Sequence, residues 1–250
     1  MHRSKIGASA RSILLLCFSY TDLRSVYMRK EVFQEGEFYH IYSRGVDKRQ
    51  IFARQEEYIR FVNAARILNS YLTIPPRFNV YEIEPKELLT SIDPYVEVIA
   101  VCLMQNHYHI IVKELQKSGI SKFLQKLNSS HTHFYNILHE RTGRLFEGPF
   151  GAKHIDKPDY GHYITYYVHL NPIKLLRRYQ IGTEEGFNEL IRYPWSSLAL
   201  YVGEKNALSD LVNLGFRDEV LGLSASEYKE FAKELYYQKC TDLRSVQENA

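Results

Sequence analysis

Alternation of apolar and polar positions marks the first ordered element. Gly36-Glu37-Phe38-Tyr39-His40-Ile41-Tyr42-Ser43 is rich in aromatic and β-branched residues on a period of two, which predicts a strand. The polar loop Arg44-Gly45-Val46-Asp47-Lys48-Arg49 follows it. Over residues 55–72 the period lengthens, with Tyr58, Phe61, Val62, Ala65, Leu68 and Leu72 at helical spacing. Residues 73–95 contain Pro75, Pro76, Pro85 and Pro94 and read as an irregular insertion. The apolar run Val96-Glu97-Val98-Ile99-Ala100-Val101-Cys102-Leu103 turns at Met104-Gln105-Asn106 into His107-Tyr108-His109-Ile110-Ile111-Val112. The two runs predict a tight hairpin at the centre of a sheet.

A second amphipathic helix is predicted from Gly119 to His139, with Ile120, Phe123, Leu124, Leu127, Phe134 and Leu138 on one side. Residues 144–155 read as a further strand interrupted by Gly148, Pro149 and Gly151. Pro158 sits where a helix favours proline, in its first turn, and that helix carries Tyr163, Tyr167 and Asn171. Pro172 either kinks it or starts a new one. Helical patterns return at 184–202 and 226–237. Strand, helix, two strands, helix, strand, helix predicts an α+β fold: an antiparallel sheet with helices packed on one face, ferredoxin-like in outline.

Composition narrows the function less than the pattern does. A chain of 250 residues with 45% hydrophobic content can bury a core in one extended domain or two small ones. A net charge of +3 fits nucleic-acid binding through local patches without requiring it. Twenty tyrosines and thirteen phenylalanines could stack unpaired bases, although most are expected in the core. Cys17, Cys102 and Cys240 form no CxxC pair, which argues against a disulfide framework or a cysteine zinc site and for a reducing cytoplasm. No apolar stretch reaches the roughly 20 residues of a membrane span. Residues 3–20 imitate a signal peptide, with Arg3, Lys5 and Arg11 before Ile13-Leu14-Leu15-Leu16-Cys17-Phe18, but no small-x-small cleavage site follows. The folded part is expected to begin near Met28. Thr21-Asp22-Leu23-Arg24-Ser25-Val26 recurs as Thr241-Asp242-Leu243-Arg244-Ser245-Val246, too far apart for a solenoid. Coincidence and translation of a DNA repeat flanking the gene are both open readings of that recurrence.

The chemistry concentrates in two segments. Side chains alternate along a strand, so His107 and His109 share a face with Tyr108 on the reverse, and two imidazoles so placed can grip one divalent ion. About sixty residues on comes Tyr163-Ile164-Thr165-Tyr166-Tyr167-Val168-His169-Leu170-Asn171-Pro172. Tyr167 and Asn171, four apart, would share a helix face. Were that face laid over the histidines, Asn171 would add an oxygen ligand and Tyr167 would hang beside the ion. Two nitrogens and one amide oxygen suit Mg2+ or Mn2+, the imidazoles favouring Mn2+. Each residue also has a plainer reading. The histidines could be a structural pair or a zinc site, Tyr167 one more core tyrosine, and Asn171 a helix cap. His131-Thr132-His133 repeats the spacing, but on a helix residues two apart diverge by roughly 200° and cannot chelate together.

Asn106-His107-Tyr108-His109 resembles the His-hydrophobe-His signature of the HUH endonuclease superfamily, with Tyr108 bulkier than usual. Tyr167-Val168-His169-Leu170-Asn171-Pro172 resembles the tyrosine–x3–Asn-Pro segment of REP-associated tyrosine transposases, relatives of single-tyrosine insertion-sequence transposases. The opening Tyr39-His40-Ile41-Tyr42-Ser43-Arg44-Gly45 and the closing Tyr193-Pro194-Trp195-Ser196-Ser197 are similar to that family too, so the resemblance covers roughly residues 36–202. It implies a nucleophile at Tyr167, a metal held by His107, His109 and Asn171, and cleavage of single-stranded DNA at hairpins or palindromic repeats through a 5′-phosphotyrosine. The chain as a whole is read as an N-terminal extension (1–27), a catalytic domain (28–202) and a C-terminal helical extension (203–250). A homodimer is compatible with it. Arg44, Lys48 and Arg49 in the first loop, and Lys174, Arg177 and Arg178 after the tyrosine helix, are the candidate DNA contacts. Lys113, Lys117, Lys122 and Lys126 could extend that surface, although a solvated face is the ordinary role of such charges. An HUH nickase of replication or mobilisation type, and a non-catalytic DNA-binding regulator on the same fold, are the alternatives.

Overall fold

Strand β1 (Phe38–Arg44) lies between two antiparallel partners in a computed structural model that describes residues 31–70 and 93–248. On one side it pairs with β3 (His107–Glu114), in a register running from Phe38 opposite Lys113 to Arg44 opposite His107. On the other side runs the short β4 (Gly151–His154). Strand β2 (Val96–Met104) joins β3 through the two-residue turn Gln105-Asn106, giving the order β2-β3-β1-β4. The hairpin is as expected, but β2 is an edge of the four-stranded sheet and not its centre. Residues 144–155 contribute only the four of β4, while Phe146 forms an isolated bridge to Gly45.

The antiparallel α+β architecture agrees with the sequence; the placing of helices on one face does not. Helices α1 (Gln55–Leu68) and α2 (Gly119–Leu138) cover the side bearing Tyr108, whose ring lies 5.3 Å from Phe61 and whose hydroxyl donates to Asn128. Helix α3 (Pro158–His169) crosses the opposite side, above His107 and His109. Strand β2 shows why: all of its residues but Glu97 are buried. A strand covered on both faces reads as a continuous apolar run instead of an alternation.

The edge left by β2 is sealed by later chain. Leu103 N–H donates to the Trp195 carbonyl and Ser197 N–H to the Val101 carbonyl, each at 2.9 Å. The hydroxyls of Tyr193 and Tyr201 donate to the carbonyls of Leu103 and Ile99, and Asn213 N–H donates to Val98. Trp195 itself stacks on Tyr58 of α1 at 4.8 Å. Backbone groups that would template another strand are thereby used internally. Pro194 also divides the predicted 184–202 helix into α4 (Glu184–Arg192) and α5 (Leu198–Tyr201).

Helix α6 (Ala225–Glu248) is longer than the predicted 226–237 and packs on α3, with Tyr228 stacked against Tyr166 at 4.7 Å. His169, fully buried, links three elements. Its Nδ1 meets the Tyr228 hydroxyl and its Nε2 the Ser197 hydroxyl, both at 2.7 Å, and Ser197 Oγ in turn accepts from Val101 N–H of β2. The core runs on through Leu208, Phe216, Tyr228, Ala232 and Cys240, so residues after 202 share it. The N-terminal extension, Cys17, the first copy of the repeated hexapeptide and residues 73–92 of the insertion lie outside the described residues.

Candidate active site

The sheet register brings together residues that sequence spacing could not. His107 and His109 project from β3 toward α3, their ring centres 5.2 Å apart and nearly perpendicular. Tyr167 on α3 reaches down so that its ring lies 5.4 Å from that of His109. Helix α3 ends at His169, so Asn171 belongs to a following 3-10 turn (Asn171–Leu175) and not to the same helix as Tyr167. Its side chain nevertheless folds back, and Nδ2 donates to the Tyr167 carbonyl at 2.9 Å. Asn171 is buried, and its amide also engages the side chains of His107 and Tyr167. The cap role and the contacts with the site thus coexist in one residue.

Each histidine has one ring nitrogen committed away from the site. Nδ1 of His107 donates to Oδ1 of Asn106 at 2.6 Å, and the Asn106 amide is oriented by donation from Nδ2 to the Lys48 carbonyl. Nδ1 of His109 meets Nε2 of His40 at 2.9 Å. Burial is the main reason both histidines titrate low. It brings His107 to about 4, helped by the Lys174 charge and opposed by the contact with Asn171. His109 falls well below the usual imidazole range through burial, then through the neighbouring histidines and lysines. Both are neutral near pH 7, the form that ligates metal. A pair of neutral imidazoles with a pinned amide oxygen beside them fits Mg2+ or Mn2+. Among the described residues no group of three or more His, Cys, Asp or Glu side chains is placed to hold a metal.

Burial also raises the Tyr167 hydroxyl above its ordinary value, and the contact with Asn171 works in the other direction. Two ammonium groups bear on this corner. Lys239 of α6 lies 5.5 Å from the centre of the Tyr167 ring, and both Lys239 and Lys174 disfavour protonation of His109. Tyr42 flanks the histidines from β1, its ring 6.3 Å from His109; a Cβ at Gly151 would collide with that ring, which explains the glycine in β4. His131 Nε2 donates to the Ile51 carbonyl inside the core while His133 is exposed, so this second His-x-His does not converge.

The candidate DNA contacts divide. Arg44 stands beside His107 but forms a two-pronged pair with Glu147, at 2.9 and 3.0 Å. Arg49 turns back to the Val46 carbonyl, and Lys48 is exposed. Lys174 and Arg177 are exposed just past Asn171, while the side chain of Arg178 lies outside the described set. Lys126 donates to the Ser70 carbonyl and lies over Tyr95, with Lys122 near the same ring. Lys113 lies over Phe38, and Lys117 is exposed. Sequence reasoning missed His40 and Lys239 as members of the site. Strand parity put His40 on one face of β1, but only the pairing with β3 says which face; nothing local distinguishes Lys239.

Residues 85–171 match the family model described as transposase, IS200 like. The resemblance to insertion-sequence transposases read from the sequence is borne out. The IS200-like segment contains His107, His109, Tyr167 and Asn171 and stops short of His40 and Lys239. Among solved structures, that of a REP-associated tyrosine transposase bound to a REP hairpin is similar at 15% identity, with a TM-score of 0.47. The similarity covers 80% of this chain and 96% of that one. No curated protein matches the chain.

Proposed function

We propose that this chain cleaves and rejoins single-stranded DNA, with Tyr167 as nucleophile and His107, His109 and Asn171 holding Mg2+ or Mn2+. The observation that carries the reading is the meeting of the Tyr167 ring and the Asn171 amide with the paired imidazoles on one face of the sheet. A divalent cation held there would polarise a non-bridging phosphate oxygen and favour the phenolate. The chain's own groups do the rest. The phenol oxygen of Tyr167 attacks phosphorus and loses its proton. The bond to the 3′-oxygen breaks, and that oxygen takes up a proton to leave as a hydroxyl. The product, a 5′-phosphotyrosine, keeps the bond energy, so a returning 3′-hydroxyl can reseal the strand without a nucleotide cofactor.

Because burial holds the phenol protonated at neutral pH, positive charge around it matters. Lys239 lies over the Tyr167 ring and Lys174 bears on His107, and together they would draw a phosphate into the corner. The substrate class implied by the sequence resemblance is DNA with hairpins or palindromic repeats. The test is Tyr167→Phe assayed with a labelled hairpin oligonucleotide. It is expected to abolish the covalent protein–DNA adduct while leaving hairpin binding largely intact; an adduct formed at the wild-type rate would remove Tyr167 from its role.

A further inference from the structure

His40 lies outside the matched family segment, on a different strand, and is buried together with His109. Its ring stacks on that of His109 at 5.1 Å, 16° from parallel, and Nε2 stands 2.9 Å from Nδ1 of His109. Two neutral imidazoles facing each other through these nitrogens share one proton between them, and it can sit on either side. With the proton on Nδ1 of His109, its Nε2 carries a lone pair. With the proton on Nε2 of His40, neutral His109 must carry its own proton on Nε2 and cannot ligate. The His40 partner therefore decides whether His109 is a ligand.

We infer that His40 is a positioning residue of the metal site, accepting the Nδ1–H of His109 through Nε2 and so turning the Nε2 lone pair of His109 to a divalent cation. The inference rests on the metal reading above and adds a residue to it. His107 has the equivalent support from Asn106, so each proposed imidazole ligand is backed by a neutral acceptor. Such partners fix the tautomer and ring orientation of a ligating histidine. The packing need alone would be met by an apolar side chain at this buried position, which would spare the cost of desolvating an imidazole.

Two measurements on the full chain test it. In metal-free protein, long-range 1H–15N correlation should show His109 protonated at Nδ1 and His40 unprotonated at Nε2; the opposite pattern overturns the inference. In Mn2+ titration calorimetry, His40→Ala and His40→Leu should weaken binding roughly 10- to 100-fold. His40→Gln, whose amide oxygen can stand where Nε2 stood, should recover most of it. His107→Ala serves as the reference. Loss of Mn2+ binding in His107→Ala with wild-type affinity in both His40→Ala and His40→Leu overturns the role of His40 alone. Equal binding by wild type and His107→Ala overturns the metal reading and this inference with it. Recovery by Gln but not by Leu excludes a purely space-filling role.

Discussion

At the end of α3 the Asn171 amide gives its Nδ2 to the Tyr167 carbonyl, so that its Oδ1, beside His107, is the atom a cation would use. Sequence spacing placed Tyr167 and Asn171 on one helix; the chain instead leaves the helix at Leu170, and the side chain returns across the break. Pro172 accounts for the exit, since it has no N–H to continue the i→i−4 ladder and its ring clashes with the carbonyl four residues back. Substitution Asn171→Asp separates the two jobs. It keeps a ligating oxygen and deletes the donor, so Mn2+ affinity measured by calorimetry should be retained or increased. Stability in urea should fall by about 1 kcal/mol for the lost hydrogen bond. Cleavage should slow as well, because a carboxylate beside Tyr167 disfavours the phenolate. Retained cleavage with lost metal affinity would contradict this account of Oδ1.

At the scale of elements, α6 gives the site a charge that the matched segment lacks. The helix is held against α3 by Tyr166 stacked on Tyr228, and by His169 between the hydroxyls of Tyr228 and Ser197. That arrangement carries Lys239 to Tyr167. Replacing Lys239 by Ala should lower the single-turnover cleavage rate roughly tenfold, as expected where a nearby positive charge favours the developing phenolate and the incoming phosphate. Mn2+ affinity should stay at the wild-type level or rise slightly, because a repelling charge is removed. Arginine at 239 should restore much of the rate. An unaltered rate in the alanine variant would reduce Lys239 to a packing residue. The edge formed by Tyr193 to Ser197 acts through the same route. It ties β2 to α1 by Trp195 on Tyr58 and to α3 by Ser197 on His169, fixing how α3 lies over the histidines.

For the whole molecule the buried histidines set an acid limit. His40 and His169 are brought to about 3 and His131 to about 4, in each case chiefly by burial. The unfolded chain binds these protons near pH 6.5 and the folded chain does not, so stability rises with pH across that interval. Stability is therefore full above pH 6.5 and is lost progressively as the pH falls from there toward the folded values. At pH 5.5 each of the three should cost about 1 kcal/mol relative to neutral pH. Thermal unfolding followed by circular dichroism should show the midpoint falling steadily from pH 7 to pH 5, and His131→Gln should flatten the slope. A midpoint independent of pH over that range would show that these imidazoles are not held neutral by the fold.

Local pattern determined the order of strands and helices, the β2–β3 turn, the shared face of His107 and His109, and the tyrosine segment, because periodicity and turn chemistry act over a few residues. What lay beyond it was every fact that depends on pairing between distant segments. Strand β2 became an edge because the chain at 195–201 returns to cover it, and α3 came to lie opposite α1 and α2 because both faces of β2 are apolar. His40 could be assigned an alternation but not a neighbour until β1 was set against β3. Lys239 entered the site through packing of a helix some seventy residues from Tyr167 in the chain. Spacing decides which side chains can share a face; only burial of those faces against one another decides which faces meet.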